Sequence, residues 1–192
     1  MVSGLKLFDL NGKTALITGS SQGIGYALAK GLSDAGSDII LNGRNIQKLK
    51  KSAELINAKK NIYQLCFDVT DYEQTKQSID KFEKENKPID ILINNAGMQF
   101  RTPLEDFPPE KFEQLLKTNV SSVFNVSQAV VKNMIKRGEG KIINIASVQT
   151  SLARPGIAPY TATKGAVGNI TKGMATDWAK YGIQCNAIAP GY

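Results

Sequence analysis

The chain has 192 residues, of which 42% are hydrophobic and 21% charged, with a net charge of +7. This balance is typical of one globular domain with its own core, and no apolar run approaches the roughly 20 residues of a membrane-spanning helix. The chain contains no histidine and only two cysteines. We therefore expect no metal site built from cysteine and histidine, and no Ser-His-Asp triad.

The predicted elements alternate between short apolar runs and segments of helical spacing. In chain order, the predicted strands are KTALIT, DIILN, IYQLCF, IDILIN, GKIINIAS and IQCNAIAP. The helices predicted between them are IGYALAKGLSDAG, IQKLKKSAELINA, DYEQTKQSIDKFEKEN, one long helix over residues 108–138, and YTATKGAVGNITKGMATDWAKYG. This alternation predicts an α/β fold, a doubly wound parallel sheet of Rossmann type with strand order 3-2-1-4-5-6. We expect a single domain over residues 1–192.

The positive charge is scattered, as in the lysines of KLKKSAELINAKK, which is typical of a solvated helix face. No nucleic-acid-binding signature accompanies it, so we expect no nucleic acid partner. The N-terminal stretch lacks the apolar core of a secretory signal. A cytoplasmic protein that does not bind membranes is expected.

Both cysteines lie in strand-like runs and are expected to be small buried hydrophobic residues. Cys66 is predicted on strand 3 and Cys185 on strand 6, at opposite edges of the sheet. Five strand spacings place them more than about 20 Å apart, and a disulfide needs Cα atoms within about 7 Å. They should not pair.

A glycine-rich loop, TGSSQGIG, joins the first strand to the first helix. Its spacing is G-x-x-x-G-x-G. Glycine permits a sharp turn and a close approach of pyrophosphate, and the helix N-terminus attracts the anion. The loop predicts a dinucleotide site with contacts from Gly19, Ser21, Gln22, Gly23, Ile24 and Gly25.

The end of the second strand favours NADP, with NAD as the alternative. NAD enzymes carry an acid there for the ribose hydroxyls. Asp38 begins this strand and is therefore at the wrong end, whereas Arg44 follows it and could bind a 2′-phosphate. Asp68 and Val69 end the third strand and are expected beside the adenine. Asp71 is the better candidate to cap the following helix.

The fourth strand ends in INNAG. Its two amides can bond neighbouring backbone, and small residues let a flat ligand pass. Asn95, Ala96 and Gly97 are therefore predicted cofactor contacts. Further on, Tyr160 and Lys164 are four residues apart on a predicted helix, so they share one face. A nearby cation favours the phenolate form of a tyrosine.

Together these motifs resemble the short-chain dehydrogenases/reductases. The matching set is Thr18-Gly19-x-x-x-Gly23-x-Gly25, Asn94-Asn95-Ala96-Gly97, Asn119, Ser147, Tyr160-x-x-x-Lys164 and Pro190-Gly191. Three stretches, which begin INNAGMQF, ASVQTSLA and TKGMATDW, are similar to the gluconate 5-dehydrogenases of this family. The resemblance implies interconversion of D-gluconate and 5-keto-D-gluconate, with NADP. Another carbonyl substrate such as a 3-oxoacyl thioester, and nucleotide binding without turnover, remain open.

The resemblance also implies roles for the site residues. Tyr160 exchanges a proton with the substrate hydroxyl, and Ser147 hydrogen-bonds the same oxygen. Lys164 also holds the nicotinamide ribose, and Asn119 binds a water that relays protons. Tyr160, Pro190 and Gly191 are also expected to contact the cofactor.

A sugar-acid or polyol substrate predicts further contacts. A carboxylate favours a cation, and Arg101 and Arg154 follow strands 4 and 5 on the ligand side, while Gln149 could bond a sugar hydroxyl. Family members continue beyond the final APGY. A last strand and the helices that close the substrate site are thus expected to be missing, and the full-length protein is expected to be a homo-oligomer.

Overall fold

The computed structural model describes residues 4–56 and 60–191. Its six-stranded sheet has the order β3-β2-β1-β4-β5-β6, and every neighbouring pair is parallel. The strands are β1 Thr14–Ile17, β2 Asp38–Gly43, β3 Ile62–Cys66, β4 Ile91–Asn94, β5 Gly140–Ile145 and β6 Ile183–Ile188. The predicted fold class and strand order are confirmed.

Helices connect the strands. They are α1 Gly23–Asp34, α2 Ile46–Ile56, α3 Tyr72–Glu85, α4 Pro109–Leu116, α5 Ser122–Arg137 and α6 Ala158–Trp178. The helix predicted to end at Ala58 is present as far as Ile56, and its last two residues lie outside the described ranges. Asp71 caps α3, as predicted, by accepting a hydrogen bond from the Gln74 N–H at 3.0 Å. Within the described ranges, no helix has the length and apolar character of a bilayer span.

Two hydrophobic layers hold the sheet between its helices, because successive strand residues face opposite sides. Leu16 belongs to the layer that includes Val130 of α5, whereas Ile17 belongs to the layer that includes Leu49 of α2. All four side chains are fully buried. Burying each one contributes about 1.5–3 kcal/mol, so the apolar strand runs dictate this layered arrangement.

The long helix predicted over residues 108–138 is interrupted. A π turn, Lys117–Ser121, separates α4 from α5, and the Ser122 N–H donates to the Lys117 carbonyl five residues earlier. Such turns are frequent at functional sites. Asn119 lies in this turn and is only 1% exposed.

The N-terminal ends of the strands are joined by charged side chains. Asp38 pairs with Lys87 and accepts the N–H of Asn61 at 3.0 Å. Asp90 accepts the N–H of Thr14 at 2.8 Å. These contacts hold Asp38 at the N-terminal end of β2, away from the glycine loop. This agrees with the prediction that Asp38 does not bind the ribose.

The two cysteines differ in exposure. Cys185 is buried as expected, but Cys66 is exposed, so that part of the prediction is wrong. The reason is that β3 is an edge strand whose residues are only partly covered. Both thiols are free, in agreement with their positions on opposite edge strands.

Candidate active site

The glycine loop forms one wall of a long cleft at the C-terminal edge of the sheet. Gly19 and Gly23 have φ angles of +62° and +60°, which side chains rarely allow. A Cβ at Gly25 would lie 2.5 Å from Nδ2 of Asn95, so α1 approaches too closely for any side chain there. At Gly23 nothing lies within 4 Å of the Cβ position. The backbone there faces open space.

Asn42 supports this loop from β2. It is 1% exposed, and its Oδ1 accepts the N–H of Gly19 at 3.3 Å. Its amide nitrogen donates to the carbonyls of Leu65 and Phe67 at 3.1 and 3.2 Å. The sequence pattern predicts no such role. One sequence feature could have indicated this role: Asn42 is an amide at the end of a buried strand, where polar groups need hydrogen-bond partners inside the protein.

The segment after β4 is fixed to the same loop. Oγ1 of Thr18 accepts the N–H groups of Asn95 and Ala96 at 2.9 and 3.0 Å. Nδ2 of Asn95 donates to the carbonyls of Thr18 and Gly19 at 2.9 and 3.1 Å. Asn95 therefore bonds neighbouring backbone, as its motif predicts.

Asn94 differs from its neighbour because it bonds side chains inside the core. Its amide nitrogen donates to Oγ of Ser127 at 2.9 Å and to Oδ1 of Asn144 at 2.8 Å. Asn144 in turn donates to Oγ1 of Thr171 at 2.9 Å. This buried network connects β4 and β5 to α5 and α6, and so fixes the helix that carries Tyr160.

The cleft has a volume of about 810 Å³. Twelve of the predicted cofactor contacts line it: Gly19, Ser21, Gln22, Gly23, Ile24, Gly25, Arg44, Asp68, Val69, Asn95, Ala96 and Gly97. Gln114, Lys117 and Thr118 also line it. No spacing rule relates α4 and the π turn to the cleft, so the sequence does not predict these three.

A cavity of about 390 Å³ adjoins the cleft. The predicted residues that line it are Ser147, Gln149, Arg154, Tyr160, Lys164, Pro190 and Gly191. Ile24, Asn95, Gly97 and Met98 line both spaces, so a long ligand in the cleft can reach the cavity. Arg101 lines neither space. It is exposed and donates to Oε1 of Gln99 at 3.3 Å.

Tyr160 and Lys164 share one face of α6. Nζ of Lys164 lies 5.7 Å from the centre of the Tyr160 ring. Lys164 is 7% exposed, and its Nζ donates to the carbonyl of Ile145 at 2.7 Å. Burial disfavours the charged form and lowers the pKa of Lys164 to about 8. At neutral pH the group is still mainly an ammonium ion beside the phenol.

Ser147 follows β5 and faces the same cavity. Its Oγ accepts the N–H of Gln149 at 3.2 Å, so its own O–H is available to donate to a ligand oxygen. Gln149 is 6% exposed, and its Oε1 has no hydrogen-bond partner among the described residues. A buried acceptor without a partner is unusual, and this one belongs to a residue that lines the cavity.

Asn119 connects the segment after β4 to α6. Its Oδ1 accepts the N–H of Met98 at 2.8 Å, and its Nδ2 donates to the Met98 carbonyl at 2.9 Å and to Oγ1 of Thr163 at 3.1 Å. These bonds hold Gly97 near Lys164: a Cβ at Gly97 would be 4.0 Å from Nζ. Both amide hydrogens are used within the protein. A proton relay through Asn119 stays a prediction.

The sequence also matches a known family over most of its length. The model described as "short chain dehydrogenase" matches residues 13–192. The chain belongs to the short chain dehydrogenase family. The resemblance seen in the motifs is confirmed, and the protein is an oxidoreductase that acts on CH–OH groups.

Individual members of the short chain dehydrogenase family are similar over nearly the whole chain. Gluconate 5-dehydrogenase of Gluconobacter oxydans is 54% identical over 191 residues, which are 97% of this chain and 73% of that protein. The 2-dehydro-3-deoxy-D-gluconate 5-dehydrogenase of Formosa agariphila is 45% identical over 97% of this chain and 71% of its own. The crystal structure of a gluconate 5-dehydrogenase from Burkholderia cenocepacia, in complex with NADP and tartrate, has a TM-score of 0.95 at 51% identity, and the match covers 99% of this chain and 75% of that one.

Proposed function

We propose that the protein interconverts D-gluconate and 5-keto-D-gluconate and uses NADP. One observation carries this proposal. The cavity that holds Tyr160, Ser147 and Lys164 shares a wall with the cleft of the glycine loop, so an alcohol carbon in the cavity lies beside a nicotinamide in the cleft. The similar gluconate 5-dehydrogenases support this choice of substrate.

The cleft fits a dinucleotide phosphate. Gln22 precedes α1 and makes no side-chain cap bond, so the first N–H groups of the helix remain for a pyrophosphate. Arg44 lines the cleft where β2 ends, and Asp38 lies at the opposite end of that strand. A 2′-phosphate at this position would therefore face the Arg44 guanidinium and no carboxylate from β2. When bound, the nicotinamide accepts the hydride from the alcohol carbon or returns it to the ketone.

The chain's own residues move and hold the proton. Tyr160 as phenolate takes the proton of the substrate hydroxyl, and as phenol returns it to the ketone oxygen. The Lys164 ammonium lies beside this phenol on the same face of α6. Ser147 donates a hydrogen bond to the same substrate oxygen and so fixes its orientation within the cavity.

A turnover assay tests the proposal directly. The purified chain should oxidise gluconate with NADP⁺ and reduce 5-ketogluconate with NADPH, and the kcat/KM for gluconate should exceed that for 2-dehydro-3-deoxy-D-gluconate by at least about tenfold. Faster turnover of a 3-oxoacyl thioester would assign a different substrate. Nucleotide binding without turnover on any of these compounds would favour a non-enzymatic role.

Arg154 is proposed to bind the substrate carboxylate, since it lines the cavity. Replacing it with methionine should raise the KM for gluconate about 10- to 100-fold, because a hydrogen bond to a charged group contributes about 1.5–3 kcal/mol. The KM for a neutral polyol should change far less. Arg101→Met is the matched control, since Arg101 lies outside both cavities and should leave both values unchanged. Equal effects on the two substrates would contradict the role.

Gln149 is proposed to accept a hydrogen bond from a sugar hydroxyl. Gln149→Met should lower kcat/KM for gluconate about 3- to 10-fold, the contribution of one neutral hydrogen bond. It should also raise Tm, because the substitution removes a buried acceptor that has no partner. Gln99→Met is the control: it alters an amide in the same cavity whose Oε1 is already bonded to Arg101. An unchanged kcat/KM in Gln149→Met would refute the proposal.

We also propose a homo-oligomer in the cytoplasm for the full-length protein. Phe112 of α4 and Phe124 of α5 support association, since they are 37% and 45% exposed. Large exposed apolar side chains on neighbouring helices are typical of interfaces. Sedimentation of the full-length protein at micromolar concentration tests the assembly, and a monomer would contradict it.

A further inference from the structure

Arg44 and Asp68 form an ion pair on the wall of the cofactor cleft. Nη1 of Arg44 lies 3.8 Å from Oδ2 of Asp68, and the two side chains are 79% and 35% exposed. Oδ1 of Asp68 accepts the N–H and the hydroxyl of Thr70 at 2.9 and 2.8 Å. Thr70 therefore fixes the carboxylate, and Oδ2 is the oxygen that faces the guanidinium.

The charges around this pair are few. Among the described residues that line the cleft, Asp68 is the one acid, and Arg44 and Lys117 are the cations. A phosphate that binds Arg44 also approaches the Asp68 carboxylate, which repels it. The same carboxylate attracts the guanidinium that the phosphate needs.

We propose that Asp68 sets the preference between NADP and NAD by competing with the 2′-phosphate for Arg44. This inference rests on the proposed use of NADP. Sharing or breaking the ion pair costs free energy only when a 2′-phosphate binds, since NAD has a hydroxyl in that place. Arg44 makes the protein bind NADP more tightly than NAD, and the charge of Asp68 reduces this difference in affinity. Asp68 thus acts as a positioning residue for Arg44.

Asp68→Asn tests this, because it keeps the oxygen that Thr70 bonds and removes only the charge. The Kd of NADPH should fall about two- to fivefold, as expected for an exposed ion pair. The Kd of NADH should change less. The gain for NADPH should shrink at 0.5 M salt, where the screening length is only about 4 Å. Fluorescence titration of the reduced nucleotides measures each Kd without any turnover.

Two control variants separate the pair from net charge. Asp80→Asn makes the same change of net charge on α3, where Asp80 pairs with Lys76 at 2.8 Å, and should leave the NADPH/NADH ratio unchanged. Arg44→Gln should remove most of the preference for NADPH. Adding Asp68→Asn to that variant should increase the affinity for NADPH less than it does in the parent protein.

Two results would overturn the inference. An unchanged NADPH/NADH ratio in Asp68→Asn would show that the ion pair plays no part in selection. Equal weakening of both nucleotides would show that Asp68 contacts only the shared adenosine part. A parent protein that binds NADH more tightly than NADPH would instead refute the proposed use of NADP, so the two failures are distinguishable.

Discussion

Tyr160→Phe is expected to lower kcat for gluconate oxidation by about 10²- to 10⁴-fold, the usual contribution of a positioned acid–base group. The phenol is the group proposed to exchange the proton, whereas Ser147, which lines the same cavity, is proposed only to donate a hydrogen bond to the substrate oxygen. Tm should stay the same, since the Tyr160 hydroxyl makes no hydrogen bond among the described residues and the ring is retained. The Kd of NADPH should change far less than kcat. Initial rates, a thermal melt and a nucleotide titration give the three values.

Tyr181→Phe provides the matched control. Tyr181 is 40% exposed and lies in the turn after α6, outside both cavities. Removing its hydroxyl should leave kcat unchanged. If Tyr160→Phe oxidised gluconate as fast as the parent protein, another group would have to carry the proton.

Lys164→Met is expected to reduce activity about 100-fold or more, because the cation beside the proposed acid–base group is lost. Stability should change in the opposite direction. Lowering the pKa of Lys164 from its ordinary 10.5 to about 8 corresponds to about 3 kcal/mol of destabilisation by the buried charge. Loss of the hydrogen bond that the ammonium donates to the Ile145 carbonyl offsets about 1.5–3 kcal/mol of the gain, so the methionine variant should keep only a small advantage in the free energy of unfolding at pH 7.

The destabilisation caused by burying the Lys164 charge depends on pH in a defined direction. Below pH 8 both the folded and unfolded forms carry the Lys164 charge, so the full cost of burial is present. Between pH 8 and 10.5 the folded form binds fewer protons than the unfolded form, so the free energy of unfolding rises with pH. Above 10.5 the cost is gone.

Urea unfolding of both proteins at pH 7 and pH 10 measures the effect. The advantage of Lys164→Met over the parent should be largest at pH 7 and should shrink toward pH 10. The difference between the two proteins isolates Lys164 from other groups that titrate. If the difference in the free energy of unfolding between the two proteins stayed constant from pH 7 to pH 10, the burial of the Lys164 charge would not be its cause.

The fold was predictable because its signals are repeated and local. The apolar runs of β1, β2 and β4 are buried on both faces of a parallel sheet, and six strand runs alternate with helical segments. Right-handed crossovers then restrict the strand order to few choices. The glycine loop and the motif after β4 were predictable for the same reason, since each follows a strand at the ligand-binding edge.

Features that depend on tertiary contacts were not predictable. The π turn follows no sequence periodicity. Only the family resemblance indicated Asn119, because its inward position depends on Met98 and Thr163, which are distant in sequence. The support of Gly19 by Asn42 likewise requires knowledge of strand neighbours.

Sequence position also fails to separate the two candidate arginines. Both Arg101 and Arg154 follow a strand on the ligand side, yet only Arg154 lines the cavity. In the segment after β4, the chain has left the cavity four residues beyond Gly97, where Arg101 is exposed and bonds Gln99. Loop paths of this kind depend on packing that no local pattern records.

The N-terminal and C-terminal ends of the strands carry different kinds of contacts, and this division has an evolutionary consequence. Charged contacts such as those of Asp38 and Asp90 stabilise the N-terminal ends of the strands, while the C-terminal ends carry the residues that line the cleft and the cavity. Mutations at ligand-side positions that make no such contacts, unlike Asn95 and Asn119, can therefore shift substrate preference without disturbing the scaffold. Directed evolution toward another sugar acid should accordingly find its beneficial changes in the loops after β4 and β5.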